Sequence, residues 1–298
     1  MRFPLRLLSF ALAPFLLGVW VAISSGKDVK GHLFIVGDGA DEKYILERYV
    51  ALAGGPERAR IIVLPMASSI PDTVGLRHVR LLTSIGVRHA RYLVFSREQA
   101  FQSEFADTLS DATGIFFTGG DQSRLAAVLV GTPVQQKLTE LYRNGTVIGG
   151  GSAGAAIMSR VMITGDELLH KDSTTSFVSI LKGNIKTSEG LGFLDDAIID
   201  QHFVRRKRHN RLISTVLEHP NLVGIGIDER TAIIVFPDHT CEVFGKSCVV
   251  VYDARKATSL RSTDDGLIGG SGLTVHVLLE GDRYNITTGT VQPATRTR

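Results

Sequence analysis

The segment GGGSAGAAIM, Gly149 to Met158, restricts the fold more than any other stretch of the chain. An apolar run that reads as a strand, Thr146–Ile148, leads into it. Small apolar residues that read as the opening of a buried helix, Ala155 to Met158, lead out. Within it, Gly150-Gly151-Ser152-Ala153-Gly154 matches Gly-x-Ser-x-Gly. In that pattern a serine sits on a tight strand-to-helix turn at the carboxyl edge of a sheet. The glycines are read here as what permits the turn, and the Ala153 N–H, at the helix start, as a donor to a developing oxyanion. The same residues also suit a glycine-rich anion loop or a turn without chemistry. A P-loop is disfavoured because no Gly-Lys-Ser/Thr follows.

The rest of the chain says what kind of sheet this is. Strand-like runs at His32–Val36, Arg60–Leu64, Arg91–Phe95, Gly114–Phe117 and Thr146–Ile148 alternate with helical patterns such as Leu46, Tyr49, Val50, Ala53 and Leu125, Val128, Leu129. Alternation of this kind predicts an α/β fold with a mostly parallel sheet and helices on both faces. Further on, Leu222–Ile227, Ala232–Phe236, Cys241–Phe244 and Cys248–Tyr252 read as short antiparallel strands that extend the sheet or pack beside it. No linker or repeat divides residues 28–298, which are read as one domain. The stretch Thr164–Lys186 has no clear pattern and reads as a flap or a surface excursion.

The first residues differ in kind. Arg2 and Arg6 precede an uncharged, mostly apolar run, Leu7–Ile23, closed by Ala22-Ile23-Ser24. Residues 1–24 read as a secretory signal peptide, with an uncleaved membrane anchor as the rival. Either places the remaining chain outside the cytoplasm, secreted or periplasmic. Loss of residues 1–24 removes two arginines and no acid, which takes the net charge from +3 to +1. That balance favours neither nucleic acid nor a membrane surface as partner. The two cysteines, Cys241 and Cys248, flank Phe244-Gly245-Lys246, which reads as a hairpin turn. A disulfide and two free thiols both fit there. Two sulfurs without histidine partners make no metal site.

A serine nucleophile needs a base, and the base needs an acid. His202, in IIDQHFVRRKRHNRL, is the most suggestive of the nine histidines, since Ile198-Ile199 end a strand-like run just before it. For the acid, Asp228 and Glu229 end the run Val223–Ile227, and Asp166 and Glu167 lie closer to the serine. Spacing does not choose among them. A second glycine turn, FFTGGDQ, offers Gly119 and Gly120 for an oxyanion amide and Gln122 for the cleft. RRKRHNR reads by itself as a solvated basic face or a nucleic-acid patch.

Taken together, FFTGGDQ, G-x-SAGAA-x-MS, DQHF followed by spaced arginines, and G-I-DE resemble the serine-peptidase family that contains cyanophycinase and peptidase E, over roughly residues 30–260. The resemblance implies a class I glutamine amidotransferase-like α/β fold, with serine in place of the cysteine. It implies Ser152 as nucleophile, His202 as base and Glu229 as acid, with Gly120 and Ala153 amides at the oxyanion. It implies a substrate pocket of Gln122, Asp200, Gln201, Arg206, Arg208 and Arg211, a homodimer, and no metal or organic cofactor. The substrate it implies is cyanophycin, poly-aspartate with arginine amide-linked to each side chain, released as β-Asp-Arg; the partners are then that polymer or β-Asp-Arg-containing peptides. Arginine forks suit its free carboxylates, and Asp200 suits a guanidinium. Arg230 follows the acid, where it can pair with Glu229 and compete for it with His202. Two other readings remain: a peptidase E-like exopeptidase on Asp-X peptides, and a secreted anion-binding protein on an inactive scaffold.

Overall fold

The computed structural model describes residues 29–169 and 177–295. The leader assigned to residues 1–24 lies outside them. The first half alternates as the apolar pattern dictates: β1 (Leu33–Asp38), α1 (Lys43–Leu52), β2 (Arg60–Leu64), α2 (Pro71–Ser84), β3 (His89–Tyr92), the short α3 (Arg97–Ala100) and α4 (Ser103–Asp107), β4 (Gly114–Phe117), α5 (Gln122–Leu129), α6 (Pro133–Arg143) and β5 (Val147–Gly151). Three helices, α3, α5 and α6, begin at side-chain caps. Asp121 accepts from the Ser123 N–H at 2.8 Å to open α5. Thr132 caps α6, with Pro133 in its first turn.

The five strands pair in parallel in the order β1-β5-β4-β2-β3. Period-two alternation decides which face each residue takes. Leu33, Ile35, Ile62, Leu64 and Ile148 face one core with α5 and α6. Phe34, Val36, Ile61, Val63 and Val147 face another with α1 and α2. Helices on both faces are thus observed.

The chain continues through one helical turn, α7 (Ala153–Ala156), and then β6 (Val161–Glu167), β7 (Ile185–Glu189), β8 (Ala197–Gln201), α8 (His209–Glu218), β9 (Val223–Ile227), β10 (Thr231–Val235), β11 (Thr240–Gly245) and β12 (Val249–Asp253). The remaining strands are β13 (Thr258–Ser262), β14 (Ile268–Ser271), β15 (Thr274–Leu278), β16 (Arg283–Asn285) and β17 (Thr290–Gln292). Strands β10, β11, β16 and β17 extend the large sheet antiparallel beyond β1. A second sheet runs β15-β12-β9-β8, in which β8 and β9 are parallel. Its Ile199, Val223 and Ile225 close the core under α5 and α6, while its Ile198 and Val250 pack with Leu212 and Val216 of α8.

Two expectations are corrected. The third strand is His89–Tyr92 rather than Arg91–Phe95; Phe95 is buried from a loop, packed edge-on against Phe105 at 5.9 Å, so its apolar character reports burial and not strand. Cys241 and Cys248 flank no hairpin. Strand β11 pairs with β10 and β16 in the large sheet, β12 with β9 and β15 in the small one, and both thiols are free. The patternless stretch 164–186 begins and ends in the antiparallel pair β6–β7. Among the described residues no helix is long and apolar enough to cross a membrane.

Candidate active site

The three glycines before Ser152 are strand, not turn. A methyl group on Gly149 would lie 2.6 Å from the Tyr49 ring, on Gly150 2.4 Å from the Gly154 carbonyl oxygen, and on Gly151 2.8 Å from Ala40 Cβ. None of them takes a positive φ; the turn is made by Ser152 itself, at φ 54° and ψ −109°. A non-glycine residue held there costs about 1–3 kcal/mol. Three backbone bonds hold it: the Ser152 N–H continues the sheet to the Val36 carbonyl at 3.1 Å, and the Ser152 carbonyl accepts from the N–H groups of Ala155 at 3.0 Å and Ala156 at 3.1 Å. The glycines therefore give the neighbours room to press on the strand, and the serine carries the strain.

His202 comes from the end of β8 in the other sheet. It too has positive φ, 49°. Its N–H reaches the Gly37 carbonyl on β1 at 3.3 Å, and its ring is buried. Gly37 marks where the sheets cross, since a side chain there would lie 2.2 Å from the Asp228 carbonyl oxygen. The crossing puts the carboxyl ends of β1, β5, β8 and β9 together, where open parallel sheets place ligands. Ser152 Oγ lies 2.9 Å from His202 Nε2, and His202 Nδ1 lies 3.0 Å from Glu229 Oε1.

The other acids are occupied elsewhere. Asp228 accepts from the Arg205 N–H at 2.9 Å and from Ser247 Oγ at 2.7 Å, holding the turn after His202. Asp166 pairs with Lys186 at 3.2 Å, and Glu167 accepts from Asn184 at 2.8 Å. Arg230 does not compete for Glu229; its Nε meets Glu42 at 2.5 Å. Sequence reasoning missed Asp38, whose carboxylate stands 3.6 Å from His202 Nδ1 at the end of β1. The strand-end rule that flagged Ser152 and His202 applies equally to it. Asp38, His202 and Glu229 are also the one group of described residues whose donor atoms gather within metal-binding distance. Nδ1 already meets Glu229 at hydrogen-bond distance, so the set fits a proton held between ring and carboxylate.

Of the oxyanion candidates, the Ala153 amide follows Ser152 directly. Gly119 is the residue that faces the serine, 3.4 Å from its Cβ were it alanine, while Gly120, at φ 141°, packs against Ala67. Among the described residues the N–H groups of Gly119, Gly120 and Ala153 meet no hydrogen-bond acceptor.

Two arginines of the basic cluster, Arg208 and Arg211, are turned inward. Asp200 shares the outer face of β8 with Ile198, under α8, and there Arg211 grips it bidentately, Nε to Oδ2 at 2.7 Å and Nη2 to Oδ1. Both are about 1% exposed, so the guanidinium that Asp200 meets belongs to its own chain. Arg208 donates to the carbonyl and side-chain oxygens of Gln201. Its Nε is buried with no partner, and burial, with Arg211 beside it, pushes its pKa down to about 10. Gln122 donates to the carbonyls of Ile163 at 2.8 Å and Thr164 at 2.6 Å, tying α5 to β6. Arg206 is exposed.

Comparison with known proteins supplies the family. The profile of peptidase family S51 matches residues 33–243. A cyanophycinase of Geminocystis herdmanii is 34% identical over 268 residues, 86% of this chain and 94% of that protein. A cyanophycinase of Synechococcus elongatus is 36% identical over 271 residues, 88% of this chain and 81% of that protein. The fold is shared with a peptidase from an acI-B1 actinobacterium, at a TM-score of 0.64 and 23% identity over 87% of this chain and 98% of that one. The chain belongs to peptidase family S51 and is a serine-type peptidase.

Proposed function

We propose that this peptidase hydrolyses cyanophycin to β-Asp-Arg dipeptides, as an exopeptidase, with Ser152, His202 and Glu229 as its triad. The observation that carries the reading is the chain of contacts from Ser152 Oγ through both nitrogens of His202 to Glu229. The names of the relatives at 34–36% identity support the polymer as substrate.

In this mechanism His202 Nε2 takes the Ser152 proton as Oγ attacks the scissile carbonyl. Glu229 accepts from Nδ1–H, which fixes the tautomer and stabilises the imidazolium. The amides of Ala153 and of the Gly119-Gly120 turn hold the oxyanion. His202 returns the proton to the leaving amine, and water, activated by the same ring, clears the acyl-enzyme. Arg208, with an unpartnered Nε, and exposed Arg206 receive arginine carboxylates; Asp200 and Arg211 brace Gln201 and Arg208 from behind. The enzyme works outside the cytoplasm, on the strength of the segment 1–24.

The test is release of β-Asp-Arg from insoluble cyanophycin by the purified chain beside Ser152→Ala, read by mass spectrometry. Release by the wild type alone is expected. Inactivity on the polymer together with cleavage of Asp-X dipeptides would replace this reading with a peptidase E-like one.

A further inference from the structure

None of Gln122, Gln201, Arg206 or Arg208 lines the cavity that opens directly onto Ser152. That cavity, about 290 Å³, is walled by Asp38, Ala40, Val74, Arg77, Gly119 and the serine itself, with Asp41 and His78 also in its wall. The nucleophile thus lines a cavity that the basic cluster does not share, and a chain held across its scissile bond has residues on both sides of the serine. We propose that the cavity is a subsite for one arginyl branch, on the aspartyl residue across the scissile bond from the one held at Arg208. The inference rests on the cyanophycin reading and adds where the second branch goes.

Charge and shape carry it. Asp41 is spent inside the wall: Arg77 Nη2 meets it at 2.7 Å and His78 Nε2 at 3.2 Å, while His78 Nδ1 faces the Val74 carbonyl at 3.0 Å. Two charged groups remain available. Asp38 has its carboxylate 45% exposed and stands 3.6 Å from His202 Nδ1, beyond hydrogen-bond distance. Arg77 is 60% exposed and uses one edge of its guanidinium on Asp41, which leaves free donors. Ala40 and Val74 supply apolar wall. An arginyl branch has a carboxylate at one end, a guanidinium at the other and three methylenes between. Arg77 suits the first, Asp38 the second, and the apolar wall the stem.

The test uses short β-Asp-Arg oligomers in which the branch across the scissile bond carries either citrulline, which removes the cation, or arginine amide, which removes the carboxylate. In the wild type each change should raise KM about tenfold, the worth of one charge-assisted contact. In Asp38→Asn the citrulline penalty should vanish and the amide penalty remain; in Arg77→Gln the reverse. A loss of kcat in Asp38→Asn that is equal on all substrates would mean that Asp38 only positions His202, and would overturn the subsite. A second readout needs no turnover. Calorimetry on Ser152→Ala should show N-acetyl-arginine binding about tenfold tighter than N-acetyl-citrulline, with the difference lost when Asp38→Asn is added. Equal binding of the two overturns the subsite whatever the peptidase does. Selective binding without cleavage of the polymer keeps the subsite and removes the cyanophycin reading.

Discussion

Two turns at strand ends, one after β5 and one after β8, face each other across the site and are built from opposite materials. The first is glycine and alanine, residues without functional groups, packed so closely that three successive positions admit no side chain. The second is DQHFVRRKRHNR, in which the inward-facing polar groups satisfy one another, Asp200 with Arg211 and Gln201 with Arg208, while Asp228 holds the backbone of Arg205 and the side chains of Arg205, Arg206 and Lys207 stay exposed. The first turn spends packing density to hold one strained serine. The second spends buried polar pairs to hold one histidine. In the proposed mechanism reactivity comes from the single residue each turn presents, and the neighbours act by fixing its geometry.

Substitutions can break that contrast. The largest effect belongs to the presented residues. Ser152→Ala and His202→Ala should each lower kcat by on the order of 10⁴–10⁶-fold in peptide hydrolysis while the thermal midpoint stays put. Unequal losses, with one variant near full activity, would separate the two turns functionally. Next comes the buried pair. Arg211→Met takes from the Asp200 carboxylate its bidentate partner, leaving only Arg208 at 3.9 Å, and should destabilise by about 3–5 kcal/mol in denaturant melts, whereas the double change Asp200→Leu with Arg211→Met should recover most of it. A double variant as unstable as the single one would mean that the pair does more than satisfy itself.

Gly150→Ala tests the other turn. Its methyl would meet backbone, the Gly154 carbonyl, and not a flexible side chain. The expected cost is about 1–3 kcal/mol, with activity falling further than stability because Ser152 must move. Unaltered activity would show that the glycines are not what places the serine. The smallest stability effect belongs to exposed Arg206: Arg206→Ala should change stability by less than about 0.5 kcal/mol and act on KM alone. Chelation adds a control. EDTA should leave peptide hydrolysis intact, and its abolition would make the Asp38–His202–Glu229 group a metal centre.

What was legible follows from range. Local rules found four of the five strands of the first half, the helices on both faces, and the strand-to-helix turn at Ser152, because alternation and Gly-x-Ser-x-Gly are written in consecutive residues. They misread why the glycines are there: a close approach by Tyr49, a hundred positions away, looks the same in sequence as a turn. Asp228 and Glu229 could not be separated by spacing, since the choice is made by Arg205 and Ser247, which claim the first and leave the second facing His202. Asp200 read as a surface for a substrate guanidinium because its partner, Arg211, lies eleven residues on, across the α8 packing face. The cysteine hairpin failed for a related reason. Strands β11 and β12 are adjacent in the chain but belong to different sheets, and only the long-range partners β10 and β9 show it.

The proposed mechanism stands on the activation of Ser152 through His202 and Glu229. A fluorophosphonate that forms a covalent adduct with activated serines tests it directly, with the adduct located by peptide mass spectrometry. The prediction is stoichiometric labelling at Ser152 in the wild type, slower by about 10³-fold or more in His202→Ala and in Glu229→Gln, and unaffected in Asp228→Asn that has kept its fold. Labelling at another serine, or at Ser152 at the same rate in all four proteins, would contradict it.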